Sequence, residues 1–371
     1  MTALAERLAR LRRYLDDRTL GAALLTRTEH LRYFAGTAAG GLPAAMVATK
    51  DAAVLIAADG AVAPDALDAL GIELCTYVGY DARQLVDRPV RLIEALGSSV
   101  RRLGVRGRVS TEITYIGHAV LQTVPDAVPQ DIGPTLAQWR AVKDPAEQAL
   151  IRRRVTMLDH AFTALGATIR PGVSEHDVVG VAYAALLGQV AEPLVLRGNC
   201  ASGPRTATDN PQATARRVAL GDLVLVDLYP VLDGYAADCT RTFVAGSATA
   251  LQRERHAILE GALSAAESRL RPGTAIATVD RSIREVLRAA GGYDASMAHH
   301  SGHGVGLLAW EEPWIGPETP GVFAEGMIIA LEPGLYVPGW GGMRLEGNYL
   351  VTATGFERLD RFPSALIATG G

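Results

Sequence analysis

Two aspartates interrupt strand-like segments in "GDLVLVDLYPVLDGYAADCTRTFVAG", one on each side of a turn at residues 232–234. The Leu-Asp-Gly sequence favours a hairpin turn, whereas aspartate is disfavoured inside a strand. Because Asp227 and Asp238 lie at similar distances from the turn, strand pairing is expected to bring their carboxylates close together. Neighbouring carboxylates repel unless a proton or cation lies between them. The segment therefore predicts an acidic pair with a positive partner, or else one aspartate that faces solvent or caps a turn.

A second acidic pair follows in "GMIIALEPGLYVPGWGGMRLEGNYLVT". Glu332 ends the apolar run "MIIAL", Glu346 lies in the next strand-like segment, and a long turn at 338–342 connects them. A hairpin here also brings two carboxylates together. Arg344 stands two residues before Glu346, on the same strand face, and is a candidate to orient one of these carboxylates.

His303 lies between glycines in "SGHGVGL" and can join the four carboxylates. Alone, such a histidine is more often a core residue. With the two acidic hairpins it predicts a pair of divalent cations about 3.5–4 Å apart that share bridging carboxylates. Ligand type does not choose among Mn²⁺, Co²⁺, Fe²⁺ and Zn²⁺. A phosphate loop is excluded because "GHGVG" lacks the full G-x-G-x-x-G and no helical pattern follows it.

Composition limits the classes of function that the chain can have. The 371 residues carry a net charge of −4, so neither a nucleic-acid partner nor an anionic membrane is indicated. The three cysteines are widely spaced, which argues against a disulfide scaffold or zinc knuckle and suits the reducing cytoplasm. No apolar run reaches the roughly 18 residues of a membrane span. We therefore expect a cytoplasmic globular protein.

Helical and strand-like patterns alternate along the chain and predict an α/β (α+β) fold in two domains, 1–138 and 139–371. Asp144 and Pro145 are typical of a helix start, and the arginine run 152–154 is expected to lie mostly on the solvated face of that helix. In the second domain, "IRPGVSEHDVVGVAYAALLG" and "LRPGTAIATVDRSIREVLRAAGG" are similar turn-helix segments. This internal sequence similarity indicates pseudo-two-fold symmetry, with a site where the two halves meet.

Taken together, these motifs resemble the pita-bread (M24-type) metallopeptidases, which include methionine aminopeptidase, Xaa-Pro aminopeptidase, prolidase and the non-peptidase creatinase. The segment from about 145 to 365 resembles the pita-bread catalytic domain. The preceding segment resembles the creatinase-type N-terminal domain through "TEHLRYFAGT" and "WRAVKDPAEQALIR". The resemblance covers nearly the whole chain, and it implies a homodimer that acts on a small peptide or small molecule.

The resemblance implies a complete metal-ligand set. The two aspartate ligands of the family correspond to positions in "VDLYPVLDGYAADCTRT", the histidine to "GHGVGL", and the two glutamates to "LEPGLY" and "MRLEG". The implied ligands are Asp227, Asp238, His303, Glu332 and the bridging Glu346. The implied cofactor is two divalent metal ions, with Mn²⁺ first and Co²⁺, Fe²⁺ or Zn²⁺ as alternatives.

Three positions depart from the family pattern. Trp310 stands seven residues after His303, where the peptidases usually have a histidine that contacts the substrate. Asn210 stands seventeen residues before Asp227, where another family histidine is usual, and Tyr229 replaces a common glycine. The family histidine four residues before the metal ligand is retained as His299.

The implied activity is hydrolysis of a C–N bond in the manner of Xaa-Pro aminopeptidase or prolidase. In this scheme a metal-bridging hydroxide is the nucleophile, Glu332 is the general base, and His299 stabilises the oxyanion or donates a proton. Residues predicted to contact substrate are Trp310, Asn210, Arg205 and Arg344. Trp310 either fills space by packing or forms a pocket wall that offers its ring face to a cationic group.

Two other classes of function remain open. The missing histidines suit a non-peptidase enzyme on the same metal scaffold, such as a small-molecule amidohydrolase, a lyase or a biosynthetic tailoring enzyme. A catalytically dead binding module is the third possibility. It is disfavoured because binding alone would not require five intact ligands.

Overall fold

A computed structural model describes residues 2–115, 117–208 and 211–370. The chain divides into two compact units, Met1–Trp139 and Arg140–Gly371. None of the helices formed by the described residues is both long enough and apolar enough to cross a membrane. Each unit contains helices and β-sheet, so the predicted α/β fold class is confirmed.

Ten α-helices are present among these residues, and three 3-10 turns cover Ala39–Gly41, Gly203–Ala207 and Tyr293–Ser296. The α-helices are α1 (Ala3–Asp17), α2 (Thr28–Ala35), α3 (Asp65–Asp68), α4 (Arg88–Arg102), α5 (His118–Leu121), α6 (Gly133–Ala141), α7 (Pro145–Thr168), α8 (Glu175–Leu187), α9 (Ala250–Glu267) and α10 (Ile276–Ala289).

The strands of the first unit are β1 (Ala22–Leu25), β2 (Ala45–Ala48), β3 (Ala53–Ala58), β4 (Glu73–Tyr77), β5 (Arg108–Thr111) and β6 (Val128–Asp131). Those of the second unit are β7 (Leu194–Ser202), β8 (Leu223–Leu232), β9 (Tyr235–Ala236), β10 (Cys239–Ala245), β11 (Gly302–Gly304), β12 (Glu311–Ile315), β13 (Ile328–Leu331), β14 (Gly334–Val337), β15 (Gly341–Arg344), β16 (Gly347–Val351), β17 (Phe356–Arg358) and β18 (Ile367–Thr369).

The first unit is built on one six-stranded sheet in the order β4-β3-β2-β1-β5-β6. The hairpin β2–β3 is antiparallel, while β1–β5, β5–β6 and β3–β4 are parallel. Every residue of β1, β2 and β3 is buried, which explains their unbroken apolar sequences. Leu92, Leu96 and Val100 of α4 belong to the same buried cluster as Leu24 and Val47 of the sheet.

The second unit contains two five-stranded sheets, each accompanied by a helix pair. One sheet has the order β18-β10-β8-β7, with β9 paired to β8, and the other has the order β12-β11-β13-β16-β17. α8 and α10 each follow one of the two similar Pro-Gly turns, and they pack on α7 and α9 respectively. The arrangement of two related halves, predicted from the internal sequence similarity, is therefore present.

The start of α7 agrees with the sequence prediction. Asp144 is the N-cap, and its side chain accepts hydrogen bonds from the backbone N–H groups of Ala146 and Glu147. Glu147 in turn accepts from the Asp144 backbone, which completes a capping box. These bonds satisfy amide donors that the first helical turn leaves without partners.

The arginine run 152–154 lies mostly on the solvated face, as expected, but its third member is an exception. Arg154 is fully buried, and its Nη2 donates to the Leu232 carbonyl at 2.6 Å. The helical period explains the difference, because Arg154 falls on the same face as the buried Ile151 and Leu158. A guanidinium there is tolerated because it satisfies a carbonyl at the hairpin turn.

Candidate metal centre

The first acidic hairpin is formed by β8, β9 and β10. Thr240 is the cross-strand partner of Asp227, and Asp238 lies in the short gap between β9 and β10. The two aspartates are therefore offset along the ladder rather than directly opposed. Both are buried, with 4% exposure at Asp227 and 2% at Asp238. The hairpin thus brings two carboxylates together in a buried position.

The second acidic hairpin holds its carboxylates directly opposite each other. Leu331 pairs with Gly347 and Gly334 pairs with Arg344, so Glu332 and Glu346 face each other between these pairs. The two hairpins are tied together by side chains. Thr240 Oγ1 donates to Glu346 Oε2 at 2.8 Å, and Asn348 Nδ2 donates to the Asp238 carbonyl at 2.6 Å. All four carboxylates consequently converge where the two sheets meet.

His303 lies in the middle of β11, between two glycines whose backbones closely approach the neighbouring strands. A Cβ on Gly302 would stand 2.1 Å from the Ala330 carbonyl oxygen, and one on Gly304 would stand 2.2 Å from that of Glu312. Only glycine fits such contacts. The strand therefore sits close enough for the imidazole to reach the carboxylates.

The imidazole of His303 faces three of the four carboxylates. Its Nε2 atom lies 3.7 Å from Asp238 Oδ2, 3.7 Å from Glu332 Oε1 and 3.9 Å from Glu346 Oε1. Burial is the main cause that lowers the pKa of His303, so the ring is neutral near pH 7. A neutral imidazole surrounded by carboxylate oxygens is a suitable donor set for a divalent transition-metal ion.

Several of these oxygens have no hydrogen-bond partner among the described residues. Asp227 Oδ1, Asp238 Oδ1 and Glu346 Oε1 are buried and accept no hydrogen bond from the described residues. Burial, together with the neighbouring carboxylates, raises the pKa of both Asp238 and Glu346 well above the ordinary values. Buried carboxylates that lack donors and repel one another are stabilised either by a proton or by a cation between them. The residues present therefore fit a metal centre.

Glu332 differs from its neighbours in having positive and polar groups around it. Burial raises its pKa, but the effects of His300, His299 and Arg344 outweigh burial and leave the pKa below the ordinary value. His300 Nδ1 lies 3.0 Å from Glu332 Oε1, and His299 Nδ1 lies 3.9 Å from Glu332 Oε2. Glu332 is thus held in its ionised form.

Arg344 lies inside the cluster, as its position on the strand suggested. Its Nη2 donates to Asp227 Oδ2 at 2.5 Å and its Nε donates to Thr240 Oγ1 at 2.9 Å. Burial lowers the pKa of Arg344, but Asp227, Tyr336 and Glu332 reverse this and raise it well above the ordinary value. The guanidinium thus orients Asp227, whose other carboxylate oxygen, Oδ1, accepts no hydrogen bond within the described part of the chain.

The four carboxylates and Arg344 line a cavity of about 290 Å³, which we call the metal cavity. Trp310 and Trp314 form part of its wall, and Tyr336 closes one side, where its hydroxyl lies 2.9 Å from His299 Nε2. Trp310 is 43% exposed, and its ring centroid lies 5.0 Å from that of Tyr229. The two aromatic departures from the family pattern therefore touch each other.

The remaining substrate-contact predictions have different outcomes. The structure does not bring Arg205 to the metal cavity as the described residues define it. Its guanidinium instead contacts Glu175 and donates to Thr214 Oγ1 and the Gln212 carbonyl. Asn210 lies outside the described residues. Asn199, in contrast, lies beside the centre and donates to Asp227 Oδ2 at 3.3 Å.

Sequence reasoning missed two residues that lie next to the centre. They are His300, which follows His299 in the sequence, and Tyr336. A signal existed for Tyr336, because it stands four residues after Glu332 in a short strand with two-residue alternation. No comparable signal existed for His300, since its orientation depends on an irregular segment before β11.

Both parts of the chain are similar to known proteins. The model of metallopeptidase family M24 matches residues 149–353, and that of the creatinase/prolidase N-terminal domain matches residues 7–142. The chain is 33% identical over 236 residues to the Xaa-Pro dipeptidase of Pyrococcus furiosus, an alignment that covers 64% of this chain and 68% of the relative.

Two further similarities cover more of the chain. The probable dipeptidase PepE of Mycobacterium bovis is 30% identical over 312 residues, which is 80% of this chain and 77% of that protein. The solved structure of an Xaa-Pro dipeptidase from Bacillus anthracis superposes with a TM-score of 0.87 at 26% identity, and covers 98% of this chain and 99% of the other.

Proposed function

The chain belongs to metallopeptidase family M24 and is a metallohydrolase, and from this premise we propose that it hydrolyses the C–N bond of a small peptide of Xaa-Pro type. The observation that carries the proposal is the set of buried carboxylate oxygens without partners at the meeting point of the two acidic hairpins. Purely structural carboxylates would have donors in such a place.

The proposed centre is dinuclear, with Mn²⁺ as the first choice of metal. Its ligands are Asp227, Asp238, His303, Glu332 and Glu346, with Glu346 bridging. Divalent cations in such a site polarise a scissile carbonyl and lower the pKa of water enough to generate hydroxide near neutral pH. Cys200 has no part in the chemistry, because burial raises the pKa of its thiol to about 12 and keeps it protonated.

Glu332 is proposed to move the proton. If Oε1, which faces His303, serves as a ligand atom, Oε2 remains to accept a proton and pass it to the leaving nitrogen. His299 stands beside it as a neutral ring, because burial lowers its pKa. Its Nδ1 faces the His300 carbonyl at 2.6 Å and therefore carries the ring proton, which leaves Nε2 to accept from the Tyr336 hydroxyl. His299 would donate to the developing oxyanion only after a second proton reaches Nε2.

The first experiment measures metal and activity on the same preparation. We expect two divalent ions per chain by elemental analysis, loss of activity after chelation, and turnover of Xaa-Pro dipeptides when Mn²⁺, Co²⁺ or Fe²⁺ is restored. Asp238→Ala should lose the metal. A wild-type protein that binds no metal, or an Asp238→Ala variant that keeps two ions, would contradict the proposal.

The contact between Trp310 and Tyr229 favours a second candidate, a non-peptidase on the same scaffold. An indole lies where the family peptidases usually have a histidine, so a polar group that would contact a peptide is replaced by an aromatic wall. Such a wall suits a small polar molecule, handled by an amidohydrolase or a lyase. Metal-loaded protein that turns over no dipeptide would favour this candidate.

A double variant distinguishes the two candidates more sharply. Trp310→His combined with Asn210→His restores both family histidines while it leaves the metal ligands unchanged. A gain of Xaa-Pro activity in the double variant would indicate that this chemistry was lost at these positions. Wild-type turnover of Xaa-Pro dipeptides that the double variant does not improve would favour the peptidase.

The assembly and location are also proposals. Family membership supports a homodimer, which light scattering of the purified protein tests directly. The low cysteine content, with all three thiols free, supports a cytoplasmic location. Fractionation of the source cells would check it.

A further inference from the structure

His300 is a second imidazole at the metal centre that the five family ligands do not include. It lies in the irregular segment just before β11, three residues from His303. Its Nδ1 atom is 3.0 Å from Glu332 Oε1, and the same oxygen is 3.7 Å from His303 Nε2. Glu332 Oε1 is therefore approached by both imidazoles.

The Nδ1 atom of His300 is buried and has no hydrogen-bond partner among the described residues, and the same holds for Glu332 Oε1. The two atoms approach closely without hydrogen-bond geometry. At 3.0 Å the two atoms can pair with each other only when the ring carries a proton on Nδ1. A divalent cation would instead take both atoms as ligands, one a ring nitrogen and the other a carboxylate oxygen.

The separation of the two atoms suits neighbouring ligands on one ion. Ligand atoms at right angles around an octahedral cation with bonds of about 2.1 Å are separated by about 3.0 Å. This is the distance found between His300 Nδ1 and Glu332 Oε1. The donor atoms of His299, His300 and Glu332 also form a group within 4.8 Å of one another.

Of the two adjacent histidines, His300 is the one available for a metal. Both nitrogens of His299 have partners, since Nδ1 lies 2.6 Å from the His300 carbonyl and Nε2 lies 2.9 Å from the Tyr336 hydroxyl. The His300 ring packs on Trp314 with 4.6 Å between centroids. Packing of this kind holds the imidazole in one orientation, as ligand residues require.

The backbone around His300 is also fixed. Arg284 Nη2 donates to the His299 carbonyl at 2.8 Å, and Ser301 Oγ donates to the fully buried Asp280 at 2.6 Å. Arg284 and Asp280 contact each other as well. The segment that carries the imidazole is therefore anchored to α10 on both sides of His300.

We propose that His300 is a sixth protein ligand, which binds through Nδ1 the same cation as Glu332. The proposal rests on the metal centre of the proposed function. A second imidazole makes the site richer in nitrogen, and imidazole ligands favour Co²⁺, Zn²⁺ and Fe²⁺ over Mn²⁺ more strongly than carboxylates do. His300 therefore shifts the metal preference of one of the two positions.

The test uses chelated full-length protein reloaded with Co²⁺, with X-ray absorption and calorimetry as readouts that do not depend on activity. X-ray absorption counts the imidazoles around the cobalt, and calorimetry gives the affinity of each position. The wild type should show two imidazoles per pair of cobalt ions. His300→Gln, which keeps an amide donor next to Glu332 but has no imidazole, should show one.

The His300→Gln variant should also lose about tenfold or more in Co²⁺ affinity at one position, with a smaller loss for Mn²⁺. His300→Asn serves as a second variant if the first does not fold by circular dichroism. The matched control is His176→Gln, which changes an exposed histidine and should alter neither readout.

Two results would overturn the assignment without affecting the proposed function. One is a wild-type centre with a single imidazole, and the other is an unchanged imidazole count in His300→Gln. Failure of the proposed function looks different, because then the wild type binds no cobalt or Asp238→Ala binds it normally. The two failures can therefore be told apart.

Discussion

Two buried acidic clusters in the second unit have opposite electrostatic characters. Around Glu311, which is 7% exposed, Lys143 Nζ lies 2.8 Å from one carboxylate oxygen and Arg140 contacts the other. Burial raises the pKa of Glu311, but the two cations outweigh it and lower the pKa below the ordinary value. In the metal centre, the pKa values of Asp238 and Glu346 are raised instead.

The difference shows how a structural cluster can be distinguished from a binding site. The Glu311 cluster contains its own counter-charges, so it needs no ligand to be stable. The metal centre sets four carboxylates against one guanidinium, that of Arg344, with a neutral His303 beside them. The chain by itself leaves this cluster with excess negative charge, which bound cations would neutralise.

The largest expected effect is that of Asp238→Asn on metal and activity. The amide removes a ligand charge, so we expect the loss of at least one metal ion and a fall in kcat/KM well beyond the roughly 10–100-fold that changes around metal ligands produce. Elemental analysis and steady-state kinetics measure these effects. Asp51→Asn, at an exposed carboxylate, is the control and should behave as the wild type.

The same acid-to-amide change should have opposite effects on stability in the two clusters. Glu311→Gln leaves two buried cations without their partner and is expected to cost about 3–5 kcal/mol in the free energy of unfolding. Asp238→Asn in chelated protein removes a repulsion and should cost nothing or stabilise. Urea unfolding of the chelated proteins measures both, and equal losses in the two variants would refute the contrast.

The pH dependence of chelated protein should differ between the clusters. The raised pKa values of Asp238 and Glu346 mean that the folded state binds more protons than the unfolded state. Their stabilising effect is therefore present at acid pH and is lost as pH rises through the raised values. The lowered pKa of Glu311 has the opposite effect, with stability present above about 4.5 and lost as pH falls.

The Tm of chelated wild-type protein should consequently fall between pH 5 and pH 8, by about 2–4 °C for each kcal/mol lost. The Asp238→Asn variant should show a flatter profile, because one of the groups no longer titrates. The decrease in Tm caused by chelation should be larger at pH 8 than at pH 5.5. A chelated wild type whose Tm rises across this pH range would contradict the predicted decrease.

The smallest effect on activity is expected from substitution of Trp310 in the wall of the metal cavity. Trp310→His should leave the metal content unchanged and alter kcat/KM for Xaa-Pro dipeptides by about 1–3 kcal/mol of transition-state energy, the usual scale for a change in pocket shape. Trp310→Phe keeps an aromatic ring and is the matched control. Loss of metal in Trp310→His would place Trp310 among the groups that support the ligands rather than in the substrate wall.

The convergence of the four carboxylates could be predicted because it depends on local rules. The turn at 232–234 and the paired strands determine which carboxylates meet, and the residue types are unusual for strands. The offset between Asp227 and Asp238 could not be predicted, since it depends on the gap between β9 and β10. The fold class and the family resemblance were also inferred from local sequence patterns, and the matching family models confirm both.

Long-range partners explain what the sequence did not reveal. Arg205 was expected in the pocket, yet it contacts the fully buried Glu175, thirty residues earlier. The contact between Trp310, just before β12, and Tyr229 in β8 joins segments that are about eighty residues apart. A single sequence gives no information about such pairs, because they arise only when the sheets are assembled.

The tight packing around β11 also determines where this centre can change over evolutionary time. A side chain at Gly302 or Gly304 would overlap a backbone carbonyl of a neighbouring strand, so substitutions there disrupt the local strand packing. Trp310, a few residues later, is 43% exposed and has room to vary. New substrate preferences can therefore arise by mutation of the wall while the strand that carries His303 is inherited unchanged.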